Sequence, residues 1–362
     1  MSQGNKQSFN SMKRRVNLDS FPTDLITEIF SRLPAKSVGR FRSLSKLWRV
    51  MLHRPYFTKL FLTRSSTRPR LLFAVERESE WCFFSLPQHH NPYDKSSLVV
   101  AAEVHTKFSK DTKQYSCSYA SGLIYFPDMS VCNPITGQSL AKLRKYRKST
   151  SFLGFDPIGK QFKVLASDRH RIMTLGTGEM SWRKIQCPFP HGYIIEGICI
   201  NGVLYYLVYT YVKATDQETK LIVCFDVRSE KFKFINGKSF GFWGTKLINY
   251  KGKLGGIDWK FDGHSKTHKL CLWVLEDVEK QAWSKKVYTL PENEVVRNTF
   301  VLGMTNTGEI ILSKMYTSKT SYIFYFNPES NTLQKVEIQG IGEDRGRVYA
   351  FVDHVEDLNF LK

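Results

Sequence analysis

The sequence predicts a mainly β protein led by a small α module: three to four short helices, then a propeller-like body of about five or six four-stranded units. Three observations carry that prediction. Apolar residues recur at helical spacing only as far as Phe61, and from Leu71 onward they come in short, aromatic-rich runs separated by turn residues. Within that later part, large apolar residues return about every 50 positions. The charge divides at the same place, because residues 1–70 hold fifteen Lys and Arg against Asp19, Asp24 and Glu28, so +12 of the net +20 lies there.

Composition narrows the class. With 42% hydrophobic and 24% charged residues the chain has the balance of a folded protein, and its 14% aromatic content favours strands. The seven cysteines form no C-x-x-C pair, no signal-peptide apolar region is present, and no apolar run reaches the ~20 residues of a membrane span. A soluble protein of the nucleus and/or cytoplasm with reduced thiols is expected. Lys13-Arg14-Arg15 reads first as a solvated basic cluster and only second as an import signal. Charge gathered in one short module suits docking to an acidic partner better than it suits a uniformly basic nucleic-acid binder, which stands as the alternative reading.

Residues 1–17 are polar and read as a disordered lead-in; the helical module follows over 18–62. Ser20 can cap, Pro22 suits a first turn and Asp24 suits the positive end of the helix dipole. Leu25, Ile26, Ile29, Phe30 and Leu33 then form one apolar stripe, which Pro34 ends. Lys36 to Arg42 allows a short second helix with Val38 and Phe41 on one side. A third helix is expected from Ser43, carrying Leu44, Leu47, Trp48, Met51 and Leu52. His53-Arg54-Pro55 interrupts, and Phe57, Leu60 and Phe61 suggest one more turn or two before a linker at 63–70. So few residues cannot enclose a core of their own, so something else must cover part of these faces.

The stretch FPTDLITEIFSRLPAKSVGRFRSLSKLWRVMLHRPYF resembles an F-box, with Leu33-Pro34, Arg40-Phe41-Arg42, Lys46 and Trp48 at that family's spacing. Phe21 and Ser45 are mild departures from it. The resemblance implies docking onto the acidic Skp-type adaptor of SCF ubiquitin ligases, and through it onto cullin and RING subunits. It carries over Pro22, Leu25, Ile26, Ile29, Leu33, Pro34, Val38, Phe41, Leu44 and Trp48 as adaptor contacts or the supports behind them. Lys36, Arg40, Arg42, Lys46 and Arg49 would form a basic rim that speeds association more than it deepens affinity.

The body, 71–362, reads as repeated hairpins. Asn133 precedes Leu140, Gly176 Trp182, Asp226 Phe232, Glu276 Trp283 and Asn327 Leu333, and the last four apolar residues stand 50, 51 and 50 positions apart. A second turn lies upstream in each unit, at Gly122, Gly159, Asn201-Gly202, Lys251-Gly252 and Thr307-Gly308. Two hairpins per unit make four strands, as in a propeller blade, kelch-like in architecture though without kelch or WD40 signatures. Leu71 to Leu86 could begin a sixth unit, with Arg347 to Phe360 pairing back to close the ring; an irregular sandwich or solenoid is the competing arrangement.

Segments such as FLGFDPIGKQFKVLAS, GICINGVLYYLVY, IVCFDVRSEKFKFI and YKGKLGGIDW resemble, in order and spacing, the F-box-associated domain of plant F-box proteins, type 3-like. That resemblance implies a domain that holds a substrate protein. The residues offer little catalytic chemistry: G-x-S-x-G, P-loop, H-E-x-x-H and paired C-x-x-C motifs are all missing. His264 and His268 fall in a Gly- and Ser-bearing stretch read as a loop, and Asn133, Asp156, Asp226 and Asn327 read as turn formers. Trp243 and Trp259, flanked by glycines and beside Lys246 and Lys260, are the candidate substrate contacts. A non-catalytic substrate receptor is therefore expected, with no cofactor, no metal and no membrane partner.

Overall fold

The computed structural model describes residues 22–359, apart from 78–79, 89–97, 110–116, 127–129, 142–148, 177–179, 189–191, 213–216, 238–239, 241–243, 263–266, 291–298, 319 and 343–345. The expected lead-in at 1–17 lies outside these residues.

Four helices come first: α1 (Thr23–Phe30), α2 (Ala35–Leu44), α3 (Lys46–Leu52) and α4 (Pro55–Ser66). Prolines set three of these starts, with Pro22 and Pro34 preceding α1 and α2 and Pro55 opening α4. Two expectations need correction. The third helix begins at Lys46, because Ser45 is extended (φ −145°, ψ 137°). The stretch set aside as a linker is helical to Ser66: α4 buries Phe57, Phe61 and Ser65 at i, i+4 and i+8, and the small polar Ser65 hid the last step of that stripe.

Six sheets follow. The first blade is β1 (Arg70–Glu76), β2 (Glu80–Pro87) and β4 (Glu103–Ser109), with β25 (Arg347–His354) paired antiparallel to β1. The second is β5 (Ser118–Ala120), β6 (Leu123–Tyr125), β7 (Ser130–Cys132) and β8 (Ser139–Ala141); the third is β9 (Ser151–Asp156), β10 (Gln161–Ala166), β11 (Arg171–Thr174) and β12 (Arg183–Lys184). Longer strands build the fourth, β13 (Tyr193–Ile200), β14 (Val203–Val212), β15 (Gln217–Asp226) and β16 (Phe232–Asn236). The fifth is β17 (Lys246–Tyr250), β18 (Lys253–Asp262), β19 (Thr267–Asp277) and β20 (Ala282–Leu290). The sixth is β21 (Thr299–Met304), β22 (Ile310–Lys314), β23 (Ser321–Asn327) and β24 (Thr332–Gln339).

Strands β5, β9, β13, β17, β21 and β25 are successive neighbours, and stacking of Tyr119 on Phe351 (5.0 Å between rings) joins the last to the first. The body is thus a six-bladed propeller. It closes twice, because β3 (Leu98–Ala101) leaves the first blade and pairs in parallel with β24 of the sixth.

The 50-residue repeat marks the fourth strands of the fourth, fifth and sixth blades, while Trp182, the first residue of that series, stands just before the two-residue β12 of the third. Phe232, Trp283 and Leu333 sit at equivalent register, opposite Phe225, Leu275 and Phe326, as Leu140 sits opposite Val131. The turn formers act as turns. Asn133, Asp226, Asp277 and Asn327 each accept backbone N–H bonds on Oδ1 from two or three residues ahead. In the fifth blade the capping side chain is therefore Asp277, one residue past the expected Glu276.

Candidate docking surface on the helical module

The module's own core is a ring cluster. Phe30, Phe41 and Trp48 meet with centroids 4.6–5.3 Å apart, a geometry worth about 0.5–1.5 kcal/mol per pair beyond burial. Val38, Met51, Leu52, Phe57 and Phe61 are buried around it, with Ile26 and Leu33 packed at its edge. Ile135 and Leu358 of the propeller belong to the same apolar cluster, so the body covers part of the surface that the helices cannot cover themselves.

The ten carried-over positions divide accordingly. Val38 is fully buried, while Ile26, Leu33, Phe41 and Trp48 pack against the core. Leu25 (53% exposed), Ile29 (59%) and Leu44 (72%) face solvent, and Pro22 and Pro34 are exposed beside them. Four exposed large apolar residues of the module were absent from the sequence-based set: Leu47 (59%), Val50 (60%), Tyr56 (73%) and, less so, Leu62 (37%). Leu47 was legible as the i+3 neighbour of Leu44; Val50 and Tyr56 carried no periodic signal. Leu25, Tyr56 and Leu60 line a shallow groove between α1 and α4 together with Asp24, Thr27 and Glu28.

Of the basic rim, two cations are spent internally. Lys36 donates to the carbonyl of Val104 in the propeller, and Arg42 donates to the carbonyl of Leu52 at 2.6 Å. Arg49 reaches the carbonyl of Arg42 at 3.3 Å from an exposed position. Arg40 and Lys46 are exposed. Glu28 is clamped by Arg64 and Arg32, both at 2.6 Å, fixing α1 to α4.

The chain matches the F-box domain family over residues 18–60 and the F-box associated beta propeller domain family over residues 70–355. It belongs to the F-box proteins with an F-box-associated propeller. Among curated proteins it is 52% identical to the F-box protein At3g57590 of Arabidopsis thaliana, over 95% of this chain and 92% of that one. It is 50% identical to F-box only protein 12 of the same plant, over 94% and 82%. A solved virginiamycin B lyase from Staphylococcus aureus aligns at 10% identity and a TM-score of 0.39, covering 80% of this chain and 93% of that one.

The F-box stands at the base of the first two blades. The carboxylate of Glu356, just past β25, accepts the Ala35 N–H of α2 at 3.2 Å. Glu103, His105 and Glu356 gather there within 4.8 Å of one another, and Arg70 bonds Glu103 at 2.9 Å while its Nε donates to Ser85 Oγ, itself 2.7 Å from His105 Nε2. A guanidinium thus occupies the cationic role beside these carboxylates. Burial raises the Glu356 carboxyl and pushes His105 down to about 3, so the imidazole is neutral.

The strand directions put Trp259 at the other end of the body, since β25 meets the F-box where it ends and Trp259 lies level with the start of β17, the counterpart of β25 in the fifth blade. It lies on β18 two residues past Ile257, the partner of Lys246 at the start of β17, and it is half-buried, stacked on His268 of β19 at 4.8 Å. His268 is therefore in a strand, where a loop was expected. Trp243 and His264 lie outside the described residues.

Proposed function

We propose that this F-box protein is the substrate-receptor subunit of an SCF-type ubiquitin ligase, working in the nucleus and/or cytoplasm. The F-box binds the Skp-type adaptor, and the propeller holds a protein substrate for ubiquitination. The observation that carries the reading is the solvent-facing apolar stripe of Leu25, Ile29, Leu44, Leu47 and Val50 on helices whose other sides are already covered. Such a patch marks a partner surface. Arg40 and Lys46 beside it suit an acidic partner. The separation of Trp259 from the F-box supports a substrate held at the far face, clear of the adaptor. Catalysis would then be proximity alone, with the transfer chemistry on other subunits.

The structure sharpens the test. Trp48 packs on Phe30 and Phe41, so its truncation would unsettle the fold, whereas Ile29→Asp and Leu47→Asp strike only exposed side chains. The double variant should lose co-purification with the adaptor while keeping its circular dichroism and melting curve. Retained capture by that variant would remove the docking role.

A further inference from the structure

Helix α2 starts behind a proline but has no side-chain cap of its own. Its N-cap is Pro34, which offers no side-chain bond, and its first turn holds no acidic residue. The missing acceptor comes from 321 residues away, as the Glu356 carboxyl oxygen bonded to the Ala35 N–H. Glu356 is 6% exposed and Leu358, two residues on, is 4% exposed in the same apolar cluster as Ala35 and Val38. The tail carrying both is pinned to the second blade: Asn133 Nδ2 donates to the carbonyls of Asp357 (3.0 Å) and Asn359 (3.3 Å). That tail directly continues β25, the strand that closes the ring. On the other side Lys36 of α2 reaches the Val104 carbonyl, at the start of β4.

We propose that Glu356 is a positioning residue: by capping α2 from the ring-closing segment it fixes the F-box at one orientation to the propeller, and so fixes the reach between adaptor and bound substrate. This rests on the receptor reading for its consequence, though not for the coupling itself. A rigid joint matters because proximity catalysis works only while the acceptor lysine stays within a narrow volume near the charged carrier. Leu25, Ile29, Leu44, Leu47 and Val50 face solvent while Glu356 is buried, so adaptor affinity and orientation are separable.

The test uses the full chain. Hydrogen exchange at the Ala35, Ser37 and Val38 amides should accelerate at least tenfold in Glu356→Ala, with β10 and β15 amides unchanged, and Glu356→Gln, which keeps an acceptor oxygen, should restore protection. If Glu356→Ala does not fold, Ala35→Pro removes the donor instead; Pro34 already has the extended conformation (φ −58°, ψ 146°) that a following proline requires, and Ser37 and Val38 are then read. In the reconstituted ligase, Glu356→Ala should keep adaptor affinity within about threefold of the parent while ubiquitin on the receptor's own lysines spreads from few positions to many. Unchanged exchange in the variant that folds, or no rescue by Gln, overturns the coupling. An unchanged lysine pattern overturns its role in reach. A parent chain that binds no adaptor overturns the receptor reading and leaves the exchange result to decide the coupling.

Discussion

Ile29 and Trp48 are both apolar residues of the same short module, and only burial tells them apart. Ile29 is mostly in water, so Ile29→Asp should abolish adaptor capture with no loss of melting temperature; Trp48→Ala removes one ring of a three-ring cluster and should destabilise by about 2–4 kcal/mol, read from the urea midpoint. If Trp48→Ala melts like the parent, the ring cluster is not what holds the helices. The sequence allowed either role for each residue, because a stripe at helical spacing identifies an apolar face without saying what covers it. Val38 and Leu25 were equally plausible contacts on that basis. What separates them is the propeller, whose Ile135 and Leu358 share the cluster that buries Val38.

At the scale of single elements the hairpins were the most legible part of the chain. Asn201 (φ 47°) and Gly202 (φ 84°) form a two-residue connection between Ile200 and Val203, and Lys251-Gly252 and Ser121-Gly122 repeat it in other blades. These left-handed pairs twist with the strands, which is why the upstream glycine turns marked the hairpins of units whose apolar residues return about every 50 positions. Gly202→Ala should cost about 1–2 kcal/mol, since its backbone is left-handed and the added methyl would stand 3.0 Å from Pro157. Gly39 offers the contrast: it is an α2 residue with nothing within 4 Å, and Gly39→Ala should stabilise by up to about 1 kcal/mol. Chemical denaturation of the two variants side by side checks both signs. Less legible were pairings that skip along the chain. Nothing local in Leu98–Ala101 says that it will leave its own blade for β24, and nothing in Ala35 says that its N–H will find Glu356.

Across the whole molecule the helical module and the ring-closing segment meet at one seam, and the seam holds two neutral histidines. His354, at the end of β25, is fully buried and its Nδ1 lies 3.0 Å from the Tyr119 hydroxyl of the second blade; His105 sits at the foot of the first. Burial, reinforced by the charge of Arg70, holds each at about 3 instead of 6.5. The unfolded chain therefore takes up protons near pH 6.5 that the folded protein refuses, and stability must fall as the pH drops below that value, by at most about 1.4 kcal/mol per pH unit for each histidine. Asp353, Glu356 and Asp357 nearby are raised by burial and pull the other way, since the folded protein then holds their protons more readily than the unfolded chain does. Their compensation sets in where the folded protein takes up those protons, above the ordinary carboxylate range, so the slope that remains below pH 6.5 is the histidine contribution less theirs. Urea midpoints measured at pH 7.5, 6.5, 5.8 and 5.2 should fall progressively below pH 6.5, and His354→Gln should flatten the slope by roughly half. A midpoint that stays level across that range would mean the seam opens to water and does not bury its imidazoles. Because β25 both closes the ring and carries the cap of α2, acid should loosen the F-box joint and the propeller seam together, and the opening of the Ala35 amide, read as its exchange rate divided by the intrinsic rate at each pH, should rise with the same profile.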